Sequence, residues 1–501
     1  MLTLNDFNGS PLKQTSRIRG ALGRGANDEE SGLIYPFSFI ALCRPRLEYT
    51  LFTDDPQKRQ RWQEKLEEAL FLHSQVQEET NKVFEAVPLS IDTFPATRSA
   101  GAFEDNPLTG KVTCSVPFKT NDGRRLVAIG CAEGLWIGLR GEPTSLRRVL
   151  HLKNVTQCAV LEEFGMFIVL ADKILVAYSV EALVPYASTI QNGGSNLSRT
   201  PQKLSGTKDV AFFTVGKLHD RTLVIFMKRK GIDSVFRALE PVSERMLAER
   251  APVNAFNRLL TGGKSGWFEN YQVFFIPSEA TDLLFLRAKL AIICKRGFEI
   301  MDLETLKGGS IPDFTNAKNQ RDPQISALGK KCDDATALAI FKSGDQEFLL
   351  IYQQFGFFVD RHGDPHRLEC FTEWEGKPES VSCHPPYILL FDSEFIEVRE
   401  METLNLVQVV KGNEIHRTWG GIGLSPHAIS PNGWVHSPEA LGESRCHFVM
   451  RVDSEQRLSQ GQRGNSSQRV FELQPIWHYN QADSSQLYQS TAPYRNYVSR
   501  A

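Results

Sequence analysis

Six times between residues 125 and 401 one pattern recurs: an apolar run, a short polar or glycine-bearing turn, and a second apolar run. The repeats begin at Arg125 (RLVAIGCAEGLWIGL), Met166 (MFIVLADKILVAYSV), Thr222 (TLVIFMKRKGIDSVFRAL), Leu290 (LAIICKRGFEIMDL), Phe348 (FLLIYQQFGFFVD) and Tyr387 (YILLFDSEFIEVREM). Two runs rich in Val, Ile, Leu and Phe, joined by so short a turn, pair antiparallel, so each repeat reads as a β-hairpin. Many small antiparallel sheets leave edges that template aggregation. Arranging them radially buries each sheet face on its neighbours and leaves only short edges. The shortest gaps between repeats match the roughly 40–50-residue period of propeller blades.

The longer gaps are read as insertions, with 191–205 and 308–331 as polar loops. Further strand candidates at 210–215 and 271–276 matter, because a blade needs about four strands and a hairpin supplies two. A β-sandwich is the alternative, although some three hundred residues would be unusually many for one. No Trp-Asp or Gly-Gly signature repeats with the hairpins, so the propeller rests on period and pairing.

The flanks differ in texture. Ahead of the repeats lie strand-like runs at 2–4, 35–42 and 47–52. The helix start Thr53-Asp54-Asp55-Pro56 follows, with polar caps and Pro in the first turn. Trp62, Leu66, Leu70, His73, Val76 and Val83 then recur at helical spacing, which places Trp62 in the core. After the repeats the chain turns polar. Patches at 447–452 and 470–473 flank a Gln/Ser/Arg/Gly-rich stretch and are candidates for ring-closing strands.

Lys and Arg total 57 against 59 Asp and Glu, a net charge of −2, which excludes a globally basic nucleic-acid binder. Nine cysteines with no CxxC pair, no signal-like N-terminus and no uninterrupted apolar span read as reduced thiols in a cytoplasmic chain.

Chemistry-bearing motifs are sparse. Gly262-Gly263-Lys264-Ser265 lacks the upstream glycine of a P-loop, since position 258 is Arg258. His362, Asp364 and His366 could face one way toward a metal, but the Gly-Asp-Pro turn explains them without one. Cys383-His384 has the same weakness, and His219-Asp220 reads as a hairpin turn. No cofactor, metal or catalytic set is expected. Propellers bind partners through end-face loops, so Trp374, His416, Trp419 and Trp434 are candidate anchors, the tryptophans especially.

Together these features resemble the C-terminal part of a fungal Rho-type guanine nucleotide exchange factor. In that family a Dbl-homology exchange domain is followed by a pleckstrin-homology domain and a citron homology (CNH) domain. Residues 112–410 resemble the citron homology domain, on GRRLVAIGCAEGLWIGL from Gly123, KDVAFFTVGKLHDRTLVIFMKRKG from Lys208 and GFFVDR from Gly356. The resemblance implies a mainly β, seven-bladed propeller. Residues 1–72 are similar to the end of a pleckstrin-homology domain, with two strands before a helix carrying Trp62 in an Arg59-x-x-Trp62 context. About three of that domain's seven strands can be placed, so the others lie upstream or the barrel is split.

The expected organisation is a partial pleckstrin-homology unit with its helix at 1–86 and a linker at 87–110. The propeller follows at 111–452, then a polar tail at 453–501 with a closing strand near 470–473. Dbl-homology helices are not evident, so the resemblance implies a non-enzymatic module. It would bind a small Rho-type GTPase or another signalling partner on a propeller face, in cell-wall and polarity signalling. The alternative is a phosphoinositide-directed targeting module recruited to the plasma membrane or cortex. Lys13, Arg17, Arg19 and Arg24 would then contact headgroups at about 1 kcal/mol each; as a basic linker they would contact nothing. A third reading, an enzyme with acids converging in the central channel, finds no assembled set.

Overall fold

A computed structural model describes residues 2–6, 12–13, 33–41, 48–80, 82–91, 110–184, 200–206, 209–242, 266–286, 288–295, 297–344, 346–421, 445–452 and 467–476. Seven antiparallel sheets account for most of them. In chain order the first six occupy 112–150, 155–203, 210–276, 280–311, 337–373 and 380–411. Each runs meander-wise from an inner to an outer strand, the fifth with a second short outer strand, Thr372–Glu373. The innermost strands meet around the ring, and that of the seventh sheet, Asn413–Trp419, reaches that of the first, Val112–Lys119. The architecture is a seven-bladed β-propeller, with an apolar cluster in each of the seven seams between blades.

All six repeats are the two middle strands of a blade. They pair as Arg125–Cys131 with Gly134–Leu139, Met166–Ala171 with Ile174–Ser179, and Arg221–Lys230 with Asp233–Pro241. The other three are Leu290–Cys294 with Gly297–Met301, Glu347–Tyr352 with Phe355–Asp360, and Tyr387–Phe391 with Phe395–Glu400. The second strand of each of these blades is covered on both faces, which is why it reads as a continuous apolar run.

The seventh blade is built from both ends of the described chain. Its order is Asn413–Trp419, Cys446–Val452, Ser467–Pro475 and then Phe84–Pro88. The patches at 447–452 and 470–473 therefore pair with each other. The strand that completes the ring is Phe84–Pro88, antiparallel to Ser467–Pro475 with Phe84 opposite Pro475 and Pro88 opposite Phe471. This corrects the division at residue 86, because residues 84–88 form one continuous propeller strand.

Three further expectations are corrected. The segment 308–331 is not a loop: it holds the outer strand Gly308–Ile311 and the helices Ala317–Arg321 and Pro323–Asp334. Asp322 caps the second of these by accepting from the N–H groups of Gln324 and Ile325. The N-terminal helix spans Pro56–Thr80, so Val83 lies beyond it. Trp62 is not core. Its ring stacks on Phe37 at 6.2 Å, yet the residue stays 51 % exposed because it lies over one strand of a small sheet. In that sheet the strand Leu33–Ala41 pairs with Leu2–Asp6, Leu12–Lys13 and Glu48–Thr53.

Trp374 shows how tightly the seams pack. Its indole Nε1 donates to the Tyr352 carbonyl at 2.8 Å. The ring also covers Gly356, where a Cβ would stand 2.6 Å from it. Gly356→Ala is expected to cost about 1–3 kcal/mol through this overpacking, read as a lower urea midpoint with unchanged secondary structure.

A candidate interaction site at the ring seam

The seam between the seventh and first blades carries a chain of buried polar side chains. Thr418, Ser115 and His447 come from the inner strand of the seventh blade, the inner strand of the first, and the second strand of the seventh. The Ser115 Oγ lies 2.8 Å from Thr418 Oγ1 and 3.0 Å from His447 Nδ1. A Ser–His pair at that distance has the spacing of a nucleophile and its base. All three residues are buried, however, and His447 Nε2 has no hydrogen-bond partner among the described residues. Buried, and with no acid orienting the imidazole among the described residues, the chain of hydrogen bonds locks two blades together. Burial pushes the His447 pKa down to about 3, with Arg140 and Arg445 adding to the effect, so the imidazole is neutral.

Toward the end of the propeller, on the side of the Arg125 and Arg140 turns, the seam opens into a cavity of about 240 Å³. Val87 and Leu89 of the closing segment form its apolar side, and Arg125, Arg140, Arg445 and Glu472 its polar side. Glu472 is 1 % exposed on the strand Ser467–Pro475. A buried carboxylate persists only when paired and hydrogen-bonded. Arg140 grips it through Nη2 and Nε, and Gln474 Nε2 donates to it at 3.1 Å. Arg445 Nη1 stands 3.6 Å away. Arg125 and Arg140 reach the cavity from the first blade, and Arg445 from the start of Cys446–Val452 in the seventh. A wider depression of about 730 Å³ over Arg321, Asp322, Pro323 and Gln324 is open surface beside a helix start.

The residues singled out from sequence are not gathered here. Trp374 is 5 % exposed and spent on packing, with the Arg399 guanidinium 5.3 Å above its ring, so it offers no anchor to a partner. Trp419 packs part of its ring against the first seam's core, with Nε1 buried. His416 sits on the inner strand of the seventh blade, its pKa lowered mainly by burial. Lys13 lies in the short strand Leu12–Lys13. Arg17, Arg19, Arg24, Trp434 and the segment Gly262-Gly263-Lys264-Ser265 fall outside the described residues.

In the HGDPH turn, Asp360 Oδ1 accepts from the N–H groups of His362 and Asp364, while Asp364 accepts from Asn319 Nδ2 at 2.6 Å. The motif is a self-satisfied turn. His219 takes a left-handed φ of 52° in the turn before Arg221–Lys230. Among the described residues no group of three or more His, Cys, Asp or Glu could hold a metal ion. None of Arg125, Arg140, Arg445, Glu472 and His447 was singled out from sequence. The one local hint is an acid inside the apolar run VFELQP.

Comparison with known proteins decides the family. The chain matches the CNH domain over residues 123–418. It belongs to the CNH domain family. It is 29 % identical over 429 residues to Rho1 guanine nucleotide exchange factor 1 of Schizosaccharomyces pombe, covering 84 % of this chain and 29 % of that protein. It is 31 % identical over 320 residues to exchange factor 2 of the same yeast, covering 63 % and 25 %. It is 27 % identical over 374 residues to RHO1 GDP-GTP exchange protein 2 of Saccharomyces cerevisiae, covering 71 % and 25 %. The chain thus spans less than a third of the length of these relatives. A solved structure titled AfRom2 CNH domain superposes with a TM-score of 0.55 at 25 % identity, covering 78 % of this chain and all of that one. The CNH propeller is a regulatory or interaction fold, and among the described residues no helix is long and apolar enough to cross a membrane.

Proposed function

We propose that this CNH propeller is the docking module of a Rho-type exchange factor, binding a small Rho-type GTPase or another signalling protein on an end face. Relatives named as Rho1 exchange factors, matched over most of the chain, carry this reading. The ring supports it physically. A disc with seven packed seams presents its turns rigidly, and a rigid surface loses little entropy on docking. In this reading residues 1–80 form the end of a pleckstrin-homology domain, with strands preceding the helix Pro56–Thr80. The module works in the cytoplasm near the cell cortex, in cell-wall and polarity signalling, and leaves nucleotide exchange to a Dbl-homology domain.

Isothermal titration of the chain against Rho-type GTPases loaded with GDP or GTP is expected to give saturable heat in at least one state. The chain alone is expected to leave the nucleotide release rate unchanged. Absence of binding in both states removes the GTPase as direct partner; accelerated release removes the non-catalytic reading.

A further inference from the structure

The seam cavity holds more positive charge than its carboxylate balances. Among the described residues that line it, Arg125, Arg140 and Arg445 face one acid, Glu472, a surplus of two charges. Glu472 is already engaged by Arg140 and Gln474. Arg445 Nη1, at 3.6 Å, is beyond hydrogen-bond length from it. The Arg445 Nε is buried and has no hydrogen-bond partner among the described residues. Burial and the neighbouring Arg125 both work against the charged form of Arg445. A buried donor left unpaired and two like charges held together are both unfavourable. An anion seated between Arg125 and Arg445 would relieve both.

We propose that this cavity is a phosphate-binding subsite that takes the dianionic phosphoryl group of a phosphoserine. The charge match favours phosphate, since a phosphoserine carries about −1.5 to −2 at neutral pH and offers three acceptor oxygens, whereas a carboxylate carries half that charge. The volume of about 240 Å³ leaves room for a phosphoryl group. The recess favours a side chain over a bilayer. Arg140 is 14 % and Arg445 27 % exposed, so a flat surface resting on the propeller rim would not reach them. The sequence joining Gly421 to Arg445 contains three Ser-Pro dipeptides, at Ser425, Ser430 and Ser437, the context that proline-directed kinases modify. The first peptide to test is therefore this chain's own. The charge surplus does not depend on which protein docks elsewhere on the ring, so a failed GTPase titration leaves this subsite standing.

The test uses the full chain and a fluorescent peptide of residues 424–441, with and without phosphate on Ser437, read by anisotropy. The phosphorylated peptide is expected to bind at least about tenfold more tightly than the plain one. Inorganic phosphate should displace it, and chloride at equal ionic strength should not. Arg125→Glu, at an exposed position, and Arg445→Lys, which keeps the charge but loses the planar fork, should each weaken it about tenfold or more. Circular dichroism would confirm that both variants fold. Equal affinity for the two peptides, or binding indifferent to Arg125→Glu, overturns the proposal. So does absence of phosphopeptide binding together with no rise in the melting temperature in phosphate over chloride. Phosphatidylcholine vesicles doped with phosphatidylinositol bisphosphate provide the last arm. Sedimentation of the chain that Arg125→Glu abolishes would assign the cavity to a lipid headgroup and overturn the phosphoserine assignment.

Discussion

A chain beginning at residue 92 is expected to lose its cooperative unfolding transition, while one beginning at residue 81 keeps it. The difference is the strand Phe84–Pro88 and the few residues around it. Its ladder to Ser467–Pro475 is extended by Leu89 N–H to the Val470 carbonyl at 2.8 Å and Ile476 N–H to the Val83 carbonyl at 2.9 Å. Ser90 Oγ accepts from Val470 N–H at 2.9 Å. From the sixth blade, Gln408 Oε1 accepts from the N–H groups of Val83 and Phe84, and its Nε2 donates to the Phe84 carbonyl at 2.8 Å. One segment therefore ties the seventh blade to the sixth through Gln408 and to the first through Leu89, which lies in the last seam's core.

Removing this segment exposes an edge strand and opens two seams at once. The single substitution Phe84→Ala isolates the packing part. Phe84 is buried, edge-on to His384 at 5.1 Å and to Tyr387 at 5.7 Å. Its truncation is expected to cost about 3–5 kcal/mol. Urea unfolding followed by circular dichroism reads both effects. An unchanged midpoint in the chain beginning at residue 92 would show that the ring closes without this strand.

What sequence could and could not reveal follows from where each strand sits. The hairpins of six blades were legible chiefly because their second strands are covered on both faces; every residue of Met166–Ala171 is buried. Outer strands such as Gln202–Lys203 and Gly308–Ile311 are short and exposed, and carry no apolar pattern. The seventh blade's middle pair was harder to join because residues 453–466 separate its two runs. The closing strand had no local signal. It is five residues long, and its segment bonds to partners some 380 positions away. The helix Pro323–Asp334 was legible in principle, since Asp322 before Pro323 is an N-cap followed by proline in the first turn. The seam site was not, because Arg140, Arg445 and Glu472 sit on separate segments and meet only once the ring closes.

Acidification is the second large lever, and His447 is its handle. An unfolded histidine titrates near 6.5, while His447 in the fold is held down to about 3 by burial and by Arg140 and Arg445. Between those values the unfolded chain binds a proton that the folded chain refuses. Stability from this group is therefore fully present above about pH 6.5 and is lost progressively as pH falls toward 3. At about 1.36 kcal/mol per pH unit per proton, going from pH 7 to pH 5 removes about 2 kcal/mol through His447 alone. His384 and His416 are also lowered, chiefly by burial, and act in the same direction. The loss has a place in the fold, because protonating His447 puts a third cation beside Arg140 and Arg445 at the seam that closes the ring. His447→Asn keeps a polar group in reach of Ser115 without a titrating ring. Unfolding free energies measured between pH 5 and 7.5 are expected to depend on pH less steeply in this variant, by up to one proton's worth of slope. Equal slopes in the two chains would mean that the seam is not where acid acts.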